Sequence, residues 1–166
     1  MPITNLQELF VHELKDILDA ERQITKALPK MAKAAESEEL AAAFEEHLAV
    51  TEEQIERLET IFKSLDKAAR GKHCAGMAGL LEEGNELIQE EETSAALDAA
   101  MICAAQKVEH YEIASYGSLV EYAKLLGMDD AVELLQQTLA EEKETDEKLT
   151  GIASELNLVA QEQVAE

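Results

Sequence analysis

The sequence predicts an all-α fold, an antiparallel four-helix bundle with one short extra connecting helix. Three observations lead to it. Ala, Leu, Glu and Lys, all strong helix formers, dominate the chain, while proline occurs twice and glycine seven times. Apolar residues recur at helical spacing through four long segments. Hydrophobic residues fill 46% of the 166 positions and tryptophan is absent, which suits one sizeable core packed by Leu and Ala.

The first helix is expected over 5–36, opened by a capping box of Thr4 and Gln7. Its stripe is Leu6, Leu9, Phe10, Leu14, Ile17, Leu18, Ile24, Leu28 and Met31. Pro29, which lacks an N–H, should kink it. The second helix follows Ser37 over 38–65, with the stripe Leu40, Phe44, Leu48, Ile55, Leu58, Ile61, Phe62 and Leu65. Residues 68–73 read as a loop and 75–91 as a short helix. A long helix over 94–126 ends at Gly127, a natural C′ residue. The last helix starts after Asp129 and runs to about 158, leaving a polar tail. A single domain over 1–160 is expected, with 161–166 as a frayed end.

The formal charge is −22, from 14 basic and 36 acidic residues. Nucleic-acid binding needs a basic footprint, and none is visible. An anionic membrane surface is excluded as a partner for the same reason. No signal peptide opens the chain and no apolar stretch reaches about 18 residues, so the cytoplasm is the expected compartment. Two cysteines make no disulfide framework. Cys103, inside the apolar run 99–105, is expected to be buried. Cys74, in a loop beside His73, is expected to be the more reactive thiol.

The two long hairpins resemble each other. A shift of 91 positions lays residues 21–58 on 112–149 without a gap. Glu21 then falls on Glu112, Leu28 on Leu119, Ala32 on Ala123, Leu48 on Leu139 and Leu58 on Leu149. A duplicated helical hairpin is the logic of a ferritin-like bundle.

Polar residues interrupt the apolar stripes at one level. Glu21 takes a core position in the first helix. Glu109 and Glu112, three residues apart, share one face of the helix over 94–126. Glu142 stands in the last stripe, with Asp146 one turn later. His47, Thr51 and Gln54 are the intruders in the second helix. Antiparallel pairing sets residue 21 opposite about 52, and 112 opposite about 143, so these side chains converge near mid-bundle. Five carboxylates cannot stay ionised and dry together. The nearby bases Arg22, Lys107 and Lys143 lie off the stripes, and a pair of cations would resolve the conflict. The candidate metal ligands are therefore Glu21, Glu109, Glu112, Glu142 and Asp146, with His47 and Gln54 as secondary candidates. An oxygen-rich shell favours iron or manganese over zinc. His110 lies a step away from this face, His12 and His73 are superficial, and Tyr111 and Tyr116 are expected to pack rather than react.

The stretch Gln106-Lys107-Val108-Glu109-His110-Tyr111-Glu112-Ile113-Ala114-Ser115-Tyr116-Gly117 resembles the signature of the YciE/YciF family of bacterial stress-response proteins. Thr51 to Leu58, Cys74-Ala75-Gly76-Met77 and Glu141-Glu142-Lys143 with Asp146 and Leu149 fit it too. The resemblance covers nearly the whole chain and implies a ferritin-like fold, a homodimer and a cytoplasmic stress role. The fold is also similar to rubrerythrin, a di-iron peroxidase, whose third bundle helix carries a Glu-x-x-Glu pair like Glu109 and Glu112. In that resemblance Glu21 and Glu142 match the first- and fourth-helix glutamates. Ferritin-like di-iron sites usually carry Glu-x-x-His on two helices. Here the second helix offers Thr51-x-x-Gln54, and the last offers Glu142 with Thr145 or Asp146 and no histidine. A rubredoxin-like Cys-x-x-Cys module is absent, so the redox partner is unspecified. Two readings follow: a metal-binding redox protein that consumes peroxide or oxygen, and a non-catalytic dimeric scaffold.

Overall fold

A computed structural model describes residues 3–162. It contains α1 (Leu6–Ala34), α2 (Glu38–Ser64), α3 (Ala75–Glu90), α4 (Ala95–Leu125) and α5 (Asp129–Glu162). No strand occurs among the described residues.

Local chemistry sets most boundaries. Ser37 and Ser94 cap α2 and α4 by accepting from the N–H groups of Leu40 and Leu97. The cap of α1 differs from the expected Thr4–Gln7 box. Asn5 Oδ1 accepts from the Glu8 N–H at 2.9 Å, and the Glu8 carboxylate reaches back to the Thr4 N–H and hydroxyl. Glu8 thus ties both residues: its N–H donates to the Asn5 cap, and its carboxylate accepts from Thr4, one residue earlier. α1 runs unbroken through Pro29, which is exposed. α4 closes in a Schellman turn: Met128 N–H bonds Ala123 O and Gly127 N–H bonds Lys124 O. Gly127 takes φ +67°, where a Cβ would be strained. α5 extends past 158 to Glu162, so residues 161 and 162 are helical, and 163–166 lie outside the described residues.

α1 packs on α2 and α4, and α5 on α4 and α2, which leaves α1/α5 and α2/α4 on the diagonals of the bundle. The α1–α2 turn meets the start of α4, because Asp98 accepts from the Glu36 and Ser37 N–H groups. α1 and α4 are therefore antiparallel. Lys148–Glu46 and Gln54–Glu142 contacts set α2 and α5 antiparallel as well. α2 must then reach the far end of the bundle before α4 begins. The loop after α2 and α3 make that crossover, the connection typical of a ferritin-like bundle. α3 rests on α4 and α1. Its start is pinned where Cys74 N–H donates to Asp19 and Lys72 N–H to Lys15 O. The hairpins keep the register of the internal repeat: α1 and α4 end at residues 34 and 125, and α2 and α5 begin at 38 and 129.

The two thiols exchange roles relative to expectation. Cys103 is exposed, whereas Cys74 is buried as the N-cap of α3. The core face of α4 runs through Met101, Ile102, Ala105 and Val108, so position 103 points away from it. Burial pushes the Cys74 thiol up, which makes it less reactive. Its Sγ lies 2.9 Å from the Tyr111 hydroxyl, which also donates to Asp16 at 2.7 Å. Gly76 permits this contact, since a Cβ there would sit 2.9 Å from the Tyr111 ring.

Candidate metal centre

A polar layer crosses the middle of the core. Glu21 on α1, His47, Thr51 and Gln54 on α2, Glu109 and Glu112 on α4, and Thr138 and Glu142 on α5 are all buried. Leu14, Ile17, Leu18, Ile24, Leu58, Ile61, Met101 and Leu149 wall the rest of the core. Helical spacing explains the convergence. Glu109 and Glu112 share a face at i, i+3, as do Thr51 and Gln54, and the antiparallel packing brings the four faces to one height.

One atom each from His47, Glu109, Glu112 and Glu142 lies within 4.8 Å of the others. His47 Nε2 stands 3.6 Å from Glu109 Oε1. Its other nitrogen, Nδ1, lies 3.4 Å from Thr145 Oγ1. Burial pushes the imidazole down to about 4, so it is neutral at pH 7 and can ligate. The sequence ranked His47 as secondary; the geometry places it among the carboxylates. Its signal was burial within a stripe, which a histidine shares with any satisfied core residue.

Glu21 completes the layer from α1, accepting a hydrogen bond at Oε1 from the Tyr116 hydroxyl. Tyr116 is thus a polar partner of the centre and more than a packing residue. Spacing could not reveal this, because the bond depends on the length of the ring. Gln54 Nε2 donates to Glu142 Oε1 and, at 3.3 Å, to Glu141 Oε2. Since both partners are carboxylates, the amide oxygen must point away from them. Arg57 holds Glu141 through two bonds, one of 2.8 Å from Nη2, and donates to Thr138 Oγ1 at 3.1 Å. This guanidinium is the nearest fixed positive charge on α2. Asp146 stands outside the layer: its carboxylate meets Gln106 at 3.1 Å and the exposed His110 at 3.2 Å.

The electrostatics of the layer are unfavourable without a cation. Glu21 Oε2, Glu109 Oε2, both Glu112 oxygens, Glu142 Oε2 and Gln54 Oε1 are buried without a hydrogen-bond partner. Burial, then the charge of Glu142, pushes Glu21 up to about 8. The same two causes raise Glu109 and Glu112, and burial raises Glu142. Native interiors leave few buried polar atoms unsatisfied, and each asks for a partner. Oxygen ligands plus one imidazole, facing inward on four helices, fit first-row divalent ions.

A cleft of ≈ 190 Å³ leads from the surface between α2 and α5 to His47 and Glu109. No helix among the described residues is long and apolar enough to cross a membrane.

The comparisons with known proteins agree with this architecture. Protein YciF of Escherichia coli (strain K12) is 48% identical over 155 residues, covering 92% of this chain and 93% of that protein. The crystal structure of the E. coli stress protein YciF superposes with a TM-score of 0.89 at 46% identity, over 93% of this chain and 98% of that one. YcfI of Rhodopseudomonas palustris, for which a structural role has been suggested, superposes at 0.86 with 44% identity over 89% and 94%. A Xanthomonas campestris protein only 20% identical shares the fold, with a TM-score of 0.78 over 96% and 100%. The family model described as a domain of unknown function, DUF892, matches residues 5–163. A ferritin-like bundle, a buried carboxylate and histidine layer and these matches together place the chain in the DUF892 family, alongside YciF.

Proposed function

We propose that this chain is a stress-response protein that binds a pair of iron or manganese ions at mid-bundle and uses them to consume peroxide or oxygen. The observation that carries this reading is the set of buried, unpartnered oxygens gathered around His47, Glu109, Glu112 and Glu142. Charge supports two ions: four carboxylates, counting Glu21, balance two divalent cations when His47 is neutral. His47, Glu109, Glu112 and Glu142 would hold one ion. Glu21 and the Gln54 amide oxygen lie in the same layer and would help to hold a second. Bound as a ferrous pair, the metals would supply the two electrons that take one hydrogen peroxide and two protons to two waters.

The chain's own residues set the rest. The Tyr116 hydroxyl, kept protonated by burial and by the Glu21 charge, fixes one Glu21 oxygen and leaves the other free. Gln54 does the same for Glu142. The apolar walls above and below exclude bulk water and strengthen every charge interaction in the layer.

Metal analysis of protein purified without chelator from unsupplemented cells tests the reading, with anomalous scattering at the iron, manganese and zinc edges to place the ions. Iron or manganese at the layer is expected. Zinc at full occupancy, or no metal at all, would refute it.

A scaffold role is the second reading, favoured by the structural role suggested for YcfI. It carries a homodimer with it. Leu80, Leu81, Leu87 and Ile88 on α3 remain half-buried, more apolar surface than the outer layer of a small bundle needs. Sedimentation should give twice the 18.3 kDa chain mass, and a clean monomer would refute the dimer.

A further inference from the structure

A buried centre must be reached between helices, and one cleft does so. Its floor is His47 and Glu109, only 5% and 3% exposed, and Glu109 Oε2 is buried without a partner. Small side chains, Ala43, Val50 and Ala105, keep the walls apart. The rim carries the exposed Glu46 and Glu144 against one base, Lys148, which is bonded to Glu46. Glu141, also at the rim, is already held by Arg57. The larger clefts between α1 and α3 and between α3 and α4 touch none of the ligand candidates.

Size and charge choose the traveller. A volume of ≈ 190 Å³ holds about six waters at ~30 Å³ each. Pockets for organic ligands start at about 300 Å³. The acidic rim favours cations over anions. We propose that this cleft is the inlet through which hydrated divalent cations reach the mid-bundle layer, with Lys148 lying across its acidic rim and slowing their capture. The proposal rests on the metal-binding reading. It assigns the α2–α5 face, and Val50 and Lys148 in particular, a kinetic role that a ligand set alone does not require. Neither side chain is a ligand. Val50, being small, leaves the passage open, and the Lys148 ammonium both neutralises Glu46 and repels an arriving cation.

The test is the rate of metal capture. Chelator-treated protein is mixed with cobaltous ion, whose visible absorption changes when water ligands give way to nitrogen and carboxylate oxygen. Val50→Phe fills the passage and should slow capture about tenfold, with the final stoichiometry and affinity unchanged. Lys148→Gln, an exposed change that leaves the core intact, should speed capture by roughly threefold at low salt. That gain should fade as salt screens the rim. Capture at the wild-type rate in Val50→Phe, or no salt-dependent gain in Lys148→Gln, overturns the inlet while leaving the metal site standing. A wild-type protein that takes up no cobalt overturns the site and the inlet together.

Discussion

The two hairpins share one backbone plan and differ in chemistry at mid-height. Under the 91-residue shift, Glu21 corresponds to Glu112, but Leu18 corresponds to Glu109 and Thr51 to Glu142. His47 and Gln54 correspond to Thr138 and Thr145. The α4–α5 hairpin thus supplies three of the four carboxylates in the mid-bundle layer. The α1–α2 hairpin supplies one, together with the imidazole, a threonine and an amide. The difference is physical economy. A second full set of carboxylates would add charge to a layer whose members already resist ionisation, whereas neutral donors such as Gln54 and Tyr116 fix carboxylates without adding any.

The largest expected effect comes from erasing that difference. Thr51→Glu gives α1–α2 the carboxylate that Glu142 gives α4–α5. Thr51 is wholly buried, with its hydroxyl spent on His47 O. The chelator-treated variant should lose about 3–5 kcal/mol, or roughly 10 °C of melting temperature. Excess manganous ion should restore part of the loss. A variant melting like wild type in chelator would mean that the layer tolerates charge and that the asymmetry between hairpins is accidental.

The hairpins also differ at their turns. Gly127 closes the α4–α5 turn by backbone geometry alone. The α1–α2 turn has no glycine and depends on Asp98, whose carboxylate accepts from Glu36 N–H at 2.9 Å and Ser37 N–H at 2.8 Å. Asp98 is 1% exposed. Asp98→Ala should therefore cost about 2–4 kcal/mol, two charge-assisted bonds with their donors stranded. Hydrogen exchange should report early loss of protection at the 34–38 turn, with the 126–128 turn unaffected. Equal loss at both turns would break the contrast.

The stripes, Ser37 before the second helix and the glycine at 127 made the helices legible in the sequence, because each is a local signal read at fixed spacing. The centre was legible in part. Glu21, Glu112 and Glu142 stand where an apolar residue is due, and the structure brings them into one layer with Glu109. Asp146 shares a face with Glu142, yet it is one methylene shorter and offset by the 40° that four residues leave on a helix. It turns instead to Gln106 and His110. Cys103 was misread because an alanine-rich run carries no periodic contrast, so burial could not be phased along it. The Tyr116–Glu21 and Gln54–Glu142 bonds join different helices, and their lengths depend on rotamers that spacing does not encode.

Proton linkage separates the hairpins from a plain acidic surface. Glu21 has a folded value of about 8 against an ordinary 4.5, so the folded state holds more protons than the unfolded state between those limits. Its contribution to stability is complete below about 4.5 and is lost as pH rises through about 8. The slope is at most ~1.4 kcal/mol per pH unit for each such group. Glu141, held low by Arg57, acts with the opposite sign below its ordinary range. His47, pushed down to about 4 from 6.5 by burial, opposes the trend up to about 6.5, but it is one group against the four raised carboxylates Glu21, Glu109, Glu112 and Glu142. Denaturant unfolding of chelator-treated protein from pH 5 to 8 should show falling stability, and a flat or rising profile would contradict the buried layer.

The smallest effect discriminates most finely. Glu112 has both oxygens unpartnered and feels burial first, then the charges of Glu142, Glu21 and Glu109. Glu112→Gln keeps the size and removes one charge and one good ligand. In chelator it should leave stability unchanged or raise it by about 1 kcal/mol, since relief of repulsion is offset by the amide hydrogens' need for acceptors. Those acceptors are at hand among the unpartnered oxygens of Glu21, Glu109 and Glu142. With manganous or ferrous ion under anaerobic conditions the order should reverse. Wild type gains about 2.7 kcal/mol at a hundredfold excess over its dissociation constant, and the variant gains less. The sign change is the signature of a ligand, because a surface glutamate would move neither melt and a purely structural one would be destabilised in both. Equal metal-induced shifts in wild type and variant would remove Glu112 from the centre, and the α4–α5 hairpin would lose its claim to be the acidic half.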